Sequence, residues 1–436
     1  MMGDKISFAS ACGFSMVAVV SFFVLSTYSQ GLNYPGNSPV MNTGAGNARN
    51  DADNLFTRNN VAGLTEIASE GDDAFGGVLS RSKWRFMGEI QGTYFKYERN
   101  FMPPGVATQV TSAGTVAVPN ASGEITFTSK DRRFGLGVGL SQEFGFESKL
   151  KDPTALGAQA QFFDTKVASQ DLTAAGAVRL HTRFSIGGSV IFGRGFLVQI
   201  GTIPQLAAIG IIRQSRLDVS DFGGVGYSLG ANWRLSKKIT LGVNYKSQRT
   251  YGLKGTLDAV QPVVKPGGLQ LVDLRLPVRV QFRFPAVVEN GIAIRPVKRL
   301  LIEFDYRYFF YGRALDAVNV IDSSTGTIVA SQSIRARNVH LFLLGGYYDL
   351  SERHKLHFGT GYTTNGIPDA TFNPGIMNTG ARSLTGGFSK KINGAWWNAS
   401  VTGYFGFNRT LNPANNPNFA GLYSNHGFTI GLGIRR

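Results

Sequence analysis

Apolar and polar residues alternate with a period of two along most of the chain. From Val178 to Phe192 the even positions are predominantly apolar, whereas the odd positions are mostly polar or glycine. Similar alternation runs through residues 134–140, 225–233, 239–246, 276–284, 300–308, 397–407 and 428–434. Because successive side chains of a strand point to opposite faces of a sheet, each run predicts a β-strand with one apolar face.

The length of these runs separates two all-β folds. Strands of soluble sandwiches are usually about five or six residues long, whereas several runs here reach the roughly nine to eleven residues with which a tilted strand crosses a bilayer. Aromatic residues lie near the run ends, as in the girdles of membrane barrels; they are Trp84, Trp233, Tyr245, Tyr308 and Trp397. A closed barrel is required in a membrane because an open edge would leave backbone groups unpaired in hydrocarbon. The pattern therefore predicts a transmembrane antiparallel β-barrel, with a soluble sandwich as the alternative.

The connections between the runs are of two kinds. Residues 234–238, 295–299 and 349–354 predict short polar turns, whereas residues 102–123 and 193–222 predict long loops. Outer-membrane barrels have short turns on the periplasmic side and longer loops outside the cell. The connections therefore favour a barrel in a bacterial outer membrane.

The sequence of the N-terminus predicts an export signal. Lys5 is followed by an apolar stretch from Phe14 to Leu25 and then by small residues at Thr27 and Ser29, which is typical of a cleaved signal peptide spanning residues 1–29. A retained membrane anchor is the alternative. The single cysteine, Cys12, falls inside this segment, so we expect neither disulfides nor cysteine metal ligands in the mature chain.

Composition and charge narrow the function further. The 436 residues include 55 glycines, 32 phenylalanines and 15 tyrosines, and only 17% of them are charged, which argues against disorder. The net charge is +16, but the basic residues are dispersed and no nucleic-acid motif is present, so no nucleic-acid partner is expected. No histidine has metal-ligand spacing and no catalytic constellation stands out. We therefore expect no enzyme activity, no catalytic residues, no metal and no cofactor.

A motif before the first strand resembles a known family. Residues 30–82 are rich in glycine and polar residues. Within them, the stretch 51–64 ends with Asn60, Val61, Ala62, Gly63 and Leu64. This stretch is similar to the Asn-Pro-Ala-Gly-Leu hatch motif of the FadL / OmpP1 / TodX family of outer-membrane transporters, although valine replaces the proline. Residues 134–138, 226–230, 274–277 and 367–374 resemble further segments of that family, in order along the chain.

The resemblance implies an architecture and a mechanism. It implies a barrel of about 14 strands (residues 83–436) with the hatch (residues 30–82) as a plug in the lumen. It also implies passive uptake of a hydrophobic compound, which is captured in an extracellular apolar groove, transferred to a lumen site and released sideways through a kinked strand. Phe144 and Gly145 are the candidate kink. The chain departs from such barrels at its last residue, because it ends in Arg436 rather than in an aromatic residue.

The sequence leaves the cargo and the partners open. A long-chain fatty acid is the first hypothesis and an aromatic hydrocarbon the second. Two further hypotheses are a barrel that acts as a scaffold or secretion partner without cargo and a porin for polar solutes. Contact with outer-membrane lipid or lipopolysaccharide and a monomeric state are also expected.

Two sets of residues are candidates for ligand binding. Residues 196–212 are too apolar for an ordinary exposed loop and predict an extracellular capture loop, with packing onto the barrel rim as the alternative; its candidates are Leu197, Ile200, Ile203, Leu206, Ile209 and Ile212. A carboxylate could be held by arginines expected to face the lumen, namely Arg179, Arg183, Arg275, Arg279 and Arg283. The alternative for these arginines is a network of lumen ion pairs with Glu303, Asp305 and carboxylates of the hatch.

Overall fold

The structure is a computed structural model of the full chain. It describes residues 60–65, 79–99, 110–129, 131, 133–141, 145–151, 162–202, 214–265, 268–372, 380–412, 414–415 and 421–435. The predicted signal peptide, and the predicted hatch apart from residues 60–65 and 79–82, lie outside this part of the chain.

The described residues are almost entirely β-strand, as the alternation predicts. In chain order the strands are β1 Leu79–Arg99, β2 Val110–Ser129, β3 Phe134–Ser141, β4 Gly145–Lys151, β5 Phe162–His181, β6 Phe184–Thr202, β7 Gln214–Arg234, β8 Ile239–Lys246, β9 Arg249–Lys265, β10 Gly268–Phe284, β11 Val287–Val297, β12 Leu300–Phe309, β13 Ala317–Asp322, β14 Ile328–Ser333, β15 Val339–Ser351, β16 His354–Thr363, β17 Ala381–Ile392, β18 Ala395–Gly406, β19 Arg409–Leu411 and β20 Gly421–Arg435. A short helix, α1, spans Tyr311–Ala314, and 3-10 turns span Val61–Thr65 and Asp369–Thr371. Strand β1 begins four residues before the barrel boundary expected at residue 83. No helix among the described residues has both the length and the hydropathy needed to cross a membrane.

Fourteen strands pair antiparallel in a closed ring. Their order is β1, β2, β3, β5, β6, β7, β8, β11, β12, β15, β16, β17, β18 and β20, and β20 pairs back to β1. In a ring without an edge, every strand has a hydrogen-bonded neighbour on both sides. Strands in a membrane require this, because the hydrocarbon offers no partner for a free backbone group. The prediction of a barrel of about 14 strands is confirmed.

The tight turns that join strands of the ring lie at one end of the barrel. The predicted turns appear between β7 and β8, between β11 and β12, and between β15 and β16. The prediction of one strand from Val178 to Phe192 is wrong, because Thr182 and Arg183 form a turn between β5 and β6. A two-residue turn leaves the alternation in phase, so the sequence pattern did not reveal it. We call this the short-turn end and the opposite one the loop end.

The strands at the loop end are longer than expected. Strand β2 begins at Val110, β6 continues to Thr202 and β7 begins at Gln214, so much of the predicted loops 102–123 and 193–222 is strand. Strands β9 and β10 continue the barrel strands β8 and β11 towards the loop end and pair with each other along their full length. Strand β13 pairs with β10, and β19 with β20.

The two faces of the barrel wall differ in polarity. Apolar side chains project from the outer face towards the short-turn end, including Leu136, Val138, Phe192, Leu229, Val243, Phe304, Leu344, Phe358, Leu384, Val401, Ile430 and Leu432. Polar side chains fill the inner face at the same level, including Thr126, Ser185, Ser189, Ser228, Asn232, Asn244, Glu289, Glu303, Asp305, Ser389 and Thr402. This is the apolar-out, polar-in arrangement of strands that face lipid.

The alternation changes phase where β8 meets β9 and where β10 meets β11. Lys246 and Arg249 are both buried inside, as are Phe284 and Val287, so each inward pair is three residues apart rather than two. The ladder nevertheless stays in register, because Phe284 pairs with Arg249 and Val287 with Lys246. The two neighbouring strands therefore shift phase together.

Candidate functional site

A 3-10 turn of the predicted hatch motif lies inside the barrel at the short-turn end. The turn closes on itself, because the Gly63 amide donates to the Asn60 carbonyl over 3.0 Å. The Ala62 amide donates to Asn60 Oδ1 over 3.1 Å. An asparagine at this position caps the first free amides of a helical turn. Residues 60–65 are all buried.

Asn60 also joins the turn to the barrel wall. Its Nδ2 donates to the Ala231 carbonyl over 3.0 Å, to Asn232 Oδ1 over 2.9 Å and to the Val243 carbonyl over 3.2 Å. These acceptors lie on β7 and β8. One side-chain amide therefore caps the turn and ties it to two strands.

The opposite side of the turn is held by its carbonyl groups. Ser185 Oγ donates to the Ala62 carbonyl over 3.1 Å, and Thr128 Oγ1 donates to the Leu64 carbonyl over 3.1 Å. The Arg179 guanidinium donates to the Thr65 carbonyl. The seat therefore includes groups from β2, β5 and β6 as well as from β7 and β8.

Glycines of the wall make room for the turn. A Cβ at Gly135 would lie 2.6 Å from the Leu64 carbonyl oxygen, and one at Gly187 would lie 2.9 Å from the Ala62 nitrogen. A Cβ at Gly230 would overlap Asn60 Oδ1. The inward row of glycines that accompanies the alternation in β3, β6 and β7 thus allows close backbone approach.

A buried ionic network lies in the same half of the interior. Glu289 is 3.8 Å from Lys246 Nζ and 3.3 Å from Arg307 Nε, and Asn244 Nδ2 donates to it over 2.8 Å. All four side chains are nearly inaccessible to solvent. Buried charges persist when they are paired and hydrogen-bonded in this way.

An ion pair marks the boundary between the two halves of the interior. Arg249 Nη1 lies 2.6 Å from Asp171 Oδ1, and the Tyr251 hydroxyl donates to the same carboxylate oxygen over 3.4 Å. The Tyr251 ring belongs to the apolar side chains above, where it meets Phe284 edge-on with 5.3 Å between ring centroids.

Buried apolar side chains fill the interior towards the loop end. We call these the apolar cluster; its members are Val167, Leu197, Leu217, Val219, Tyr251, Leu253, Val278, Val280, Phe282, Phe284, Val287, Phe309, Tyr311, Ala314, Leu315, Val320, Ile334, Val339, Leu341, Leu343, Ile367, Phe372, Leu411 and Tyr423. They come from strands β5–β7, β9–β13, β15, β19 and β20 and from the segments at the loop end. The interior is therefore mainly apolar towards the loop end and mainly polar towards the short-turn end, where a smaller apolar cluster of Ala293, Leu301 and Tyr347 is also buried.

Connecting segments cover the apolar cluster at the loop end. Tyr311 of α1 is buried there, and burial raises the pKa of its hydroxyl. Arg409 forms an ion pair of 2.6 Å with Asp369 and lies 4.6 Å from the Phe372 ring centroid. Burial lowers the pKa of Arg409, while its hydrogen bond with Asp369 acts in the opposite direction.

The expectation that all five candidate arginines face the lumen is wrong for four of them. Arg275, Arg279 and Arg283 are exposed on β10, on the face opposite the buried Val278, Val280, Phe282 and Phe284. Arg275 pairs instead with Asp258 over 3.5 Å. Arg183 is exposed in the turn between β5 and β6. Only Arg179 points inwards, and it holds the turn.

The arginines of β10 face outwards rather than into the lumen because of the medium on each side of the barrel wall. This strand lies beyond the apolar belt, where its outer face meets a polar medium and its inner face meets the apolar cluster. The alternative of a lumen ion-pair network holds for other cations, namely Lys246, Arg249 and Arg307. The alternation of residues 300–308 puts Arg307 on the same face as Glu303 and Asp305, as the structure shows, whereas the sequence did not indicate Arg249 and Tyr251.

The predicted capture loop is only partly described. Leu197 and Ile200 lie in β6 rather than in a loop, which corrects that expectation. Leu197 belongs to the apolar cluster, whereas Ile200 is paired with the exposed Arg216 and so shares its outward face. Ile203, Leu206, Ile209 and Ile212 lie outside the described residues.

The candidate kink lies at a break in one ladder. The pairing with β5 stops at Ser141–Asp171 and resumes at Gly145–Ala168. Between the two ladders, three residues separate β3 from β4, whereas only two residues of β5 lie opposite them. Among the described residues, β2 pairs with β3 but has no ladder with β4. Gly145 begins β4, and Phe144 lies outside the described residues.

Comparison with known proteins decides the family. Residues 41–397 match the model of the family described as outer membrane protein transport protein (OMPP1/FadL/TodX). The chain belongs to this family. It is accordingly a bacterial outer-membrane β-barrel for transport of hydrophobic compounds, in a family of transport channels rather than enzymes. No curated protein sequence matches the chain significantly.

Solved structures share the fold at low sequence identity. A FadL homologue of Pseudomonas aeruginosa has a TM-score of 0.71 at 17% identity, over 94% of this chain and 99% of that chain. The toluene transporter TodX of Pseudomonas putida has a TM-score of 0.67 at 16% identity, over 93% and 99%. The toluene transporter TbuX of Ralstonia pickettii has a TM-score of 0.64 at 16% identity, over 92% and 98%.

Proposed function

We propose that this barrel takes up hydrophobic compounds passively, by capture at the loop end, passage through the apolar cluster and lateral release into the membrane. The apolar cluster carries the proposal. It offers a continuous apolar environment inside the barrel, at the end that is exposed to the medium. Each buried methylene contributes about 0.8 kcal/mol, so burial alone can hold a long hydrocarbon chain there.

The polar half of the interior supports a sideways exit. A hydrocarbon that continued along the axis would have to displace the seated turn and disrupt the buried ion pairs of Glu289. Leaving through the wall avoids both costs. The ladder break between Ser141 and Gly145, next to the part of β2 that has no ladder with β4, supports an exit at that point.

A long-chain fatty acid is the first cargo that we propose. Arg249 and Lys246 lie at the inner boundary of the apolar cluster, where a carboxylate could exchange for Asp171 or Glu289. Arg179, which holds the turn, is a further inward arginine in the polar half. An arginine–carboxylate contact is a strong, oriented hydrogen bond and would fix the head group.

An uncharged aromatic hydrocarbon is the second candidate. Its support is that Arg249 and Lys246 are already paired with carboxylates, so the charges of both cations are balanced before any ligand arrives. Many cluster members are aromatic, including Tyr251, Phe282, Phe284 and Phe309. Edge-to-face contacts with such rings suit a small aromatic ring.

Uptake into vesicles tests the function and separates the cargoes. We expect purified protein in lipid vesicles to admit labelled oleate or labelled toluene faster than empty vesicles. The double variant Asp171→Asn with Arg249→Gln removes the boundary charges together. It should weaken oleate uptake and leave toluene uptake unchanged if the carboxylate is held there.

A matched pair of changes controls for net charge. Asp131→Asn with Arg133→Gln removes an exposed ion pair of 3.4 Å in the turn before β3, and should change neither uptake. If neither compound enters faster than in empty vesicles, the proposed function is wrong and a scaffold role without cargo takes its place. Steady ion current through the intact protein in a planar bilayer would instead indicate a porin.

A further inference from the structure

A group of cations lies on the outside of the barrel near the loop end. We call it the basic patch; it consists of Arg194 on β6, Lys254 on β9, and Arg279 and Arg283 on β10. Lys254, Arg279 and Arg283 are exposed, and Arg194 is half-buried. Each belongs to the strand face that is turned away from the apolar cluster, so none of them contributes to the interior.

The basic patch begins where the apolar belt ends. The outward side chains beside it on β7 are Phe222, which pairs with Arg194, and then Val225 and Tyr227 towards the short-turn end, all largely exposed. Tyr227 and Tyr245 lie side by side on the outer wall, with 6.0 Å between ring centroids. Paired tyrosines on the outer wall are typical of the membrane interface. The patch therefore lies at the level of lipid head groups, on the side of the long strands.

Two cations of the patch lie directly opposite each other. Lys254 and Arg279 are direct cross-strand partners, and like charges in that position destabilise a sheet. The Asp221 carboxylate lies beside them, at 3.8 Å from Lys254 Nζ. Arg283 has Gln281 as its hydrogen-bond partner, and Arg194 lies over the Phe222 ring at 5.1 Å. Among the described residues, neither Arg279 nor Arg283 forms an ion pair. An anion between these strands would relieve the repulsion.

We propose that the basic patch binds the phosphate groups of lipopolysaccharide in the outer leaflet. Three observations fit a phosphorylated glycolipid that is anchored in the bilayer. The charges lie at the edge of the apolar belt, arginine is suited to phosphate recognition, and Phe222 and Val225 offer an apolar surface beside the patch for acyl chains. Arg279 and Arg283 lie roughly 13 Å apart along β10, so they would contact separate groups of one head group rather than one phosphate.

Co-purification with lipid A tests the proposal. The full chain in detergent is incubated with bisphosphorylated lipid A, and the bound lipid is counted by native mass spectrometry. The triple variant Lys254→Gln, Arg279→Gln, Arg283→Gln should bind lipid A about a hundredfold more weakly than the wild type, because each basic residue near a membrane surface contributes separately to binding of an anionic lipid. Wild-type protein should retain dephosphorylated lipid A as poorly as the triple variant retains lipid A.

A control variant removes the same charge at the other end of the barrel. Lys237→Gln, Lys238→Gln, Arg299→Gln changes three exposed cations in the turns of the short-turn end and should retain lipid A as the wild type does. Equal retention by the patch variant and the wild type, an equal loss in the control variant, or equal binding of dephosphorylated lipid A would each overturn the proposal. If the triple variant does not fold, as judged by heat-dependent migration on gels, Arg279→Gln alone replaces it, with a smaller loss expected and unchanged retention overturning the proposal.

Discussion

The two halves of the barrel interior are built on opposite rules. At the short-turn end the inner face is polar, it carries a buried network around Glu289, and a turn of residues 60–65 is seated on glycines. At the loop end the inner face is the apolar cluster and cations lie outside. The same alternation of the sequence therefore puts apolar side chains outside in one half and inside in the other, because hydrocarbon surrounds the first half and a polar medium the second.

Strand pairs that cross between the halves show how this is achieved. In β8–β9 and β10–β11 both strands shift phase at the same level, between Lys246 and Arg249 and between Phe284 and Val287. The ladder stays in register while the apolar face changes from the outside to the inside. In these two strand pairs the phase shift moves the apolar face from the membrane side to the interior, whereas β6 keeps one phase and changes from inward Ser185 and Ser189 to inward Leu197.

The largest expected effect is in the polar half. Arg307→Leu leaves Glu289 with one fewer cation in a buried site, and breaking such a pair costs about 3–5 kcal/mol of unfolding free energy. Arg307→Lys keeps the charge and should lose clearly less. Urea unfolding in lipid vesicles measures both. Equal and small losses would mean that the network is hydrated and that the two halves do not differ in this respect.

A second comparison places the same charge on the outer surface of each half of the barrel. Val401 and Ile328 are similarly exposed, at 54% and 59%, but Val401 lies in the middle of β18 and Ile328 on β14 at the loop end. Val401→Arg should cost about 2–4 kcal/mol in a bilayer, whereas Ile328→Arg should cost about 0–1 kcal/mol. The measurement is again unfolding in vesicles. Similar costs at the two positions would contradict the level assigned to the membrane.

A third change tests the seat of the turn. Gly187→Leu places a side chain against the Ala62 nitrogen and should cost about 1–3 kcal/mol through overpacking. Its matched control is Gly386→Leu, which points into open space on the outer face of β17. Hydrogen exchange of residues 61–65 reports on the turn and should rise in the first variant alone. Unchanged exchange in Gly187→Leu would show that the glycine is not needed for seating.

The smallest effect is expected at the cap of the turn. Asn60→Ala removes the bonds to the Ala231, Asn232 and Val243 acceptors and should cost about 1–2 kcal/mol, most of it local. We expect faster hydrogen exchange in residues 61–65 and unchanged exchange in β17 and β18. A uniform increase over the whole barrel would argue that the turn is part of the global core.

The fold was predictable because one face of a strand in the membrane contacts lipid and the other face the interior, so apolar and polar residues alternate in the sequence. Alternation at residues 225–233 and 300–308 indicated the strands and the correct inner face. The resemblance pointed to Asn60 and Leu64, whose contacts depend on glycines that alternation already marked. The turn at Thr182 was hidden because it preserves the phase of the pattern.

The sites at the loop end were not predictable in the same way. The alternation shows that Arg275, Arg279 and Arg283 share one face of their strand. It does not show whether the strand lies within the membrane or beyond it, so the sequence assigned these arginines to the wrong side of the wall. A signal does exist: Pro285 and Ala286 interrupt the alternation between Phe284 and Val287, at the level where the phase shifts. Arg249 and Tyr251 lacked any local signal, since their partners lie on distant strands.

Uptake of a hydrophobic compound by vesicles that carry matched interior variants tests the central claim most directly. Val280→Asn inserts an amide into the apolar cluster, and Thr402→Asn makes a comparable change in the polar half, where Thr402 hydrogen-bonds with Thr385 over 2.8 Å. If the apolar half is the route of the cargo, uptake of labelled oleate or toluene falls in the first variant and stays near the wild-type rate in the second. Equal uptake by both variants, with both barrels folded, would contradict the claim that the cargo passes through the apolar half and that the polar half closes the barrel.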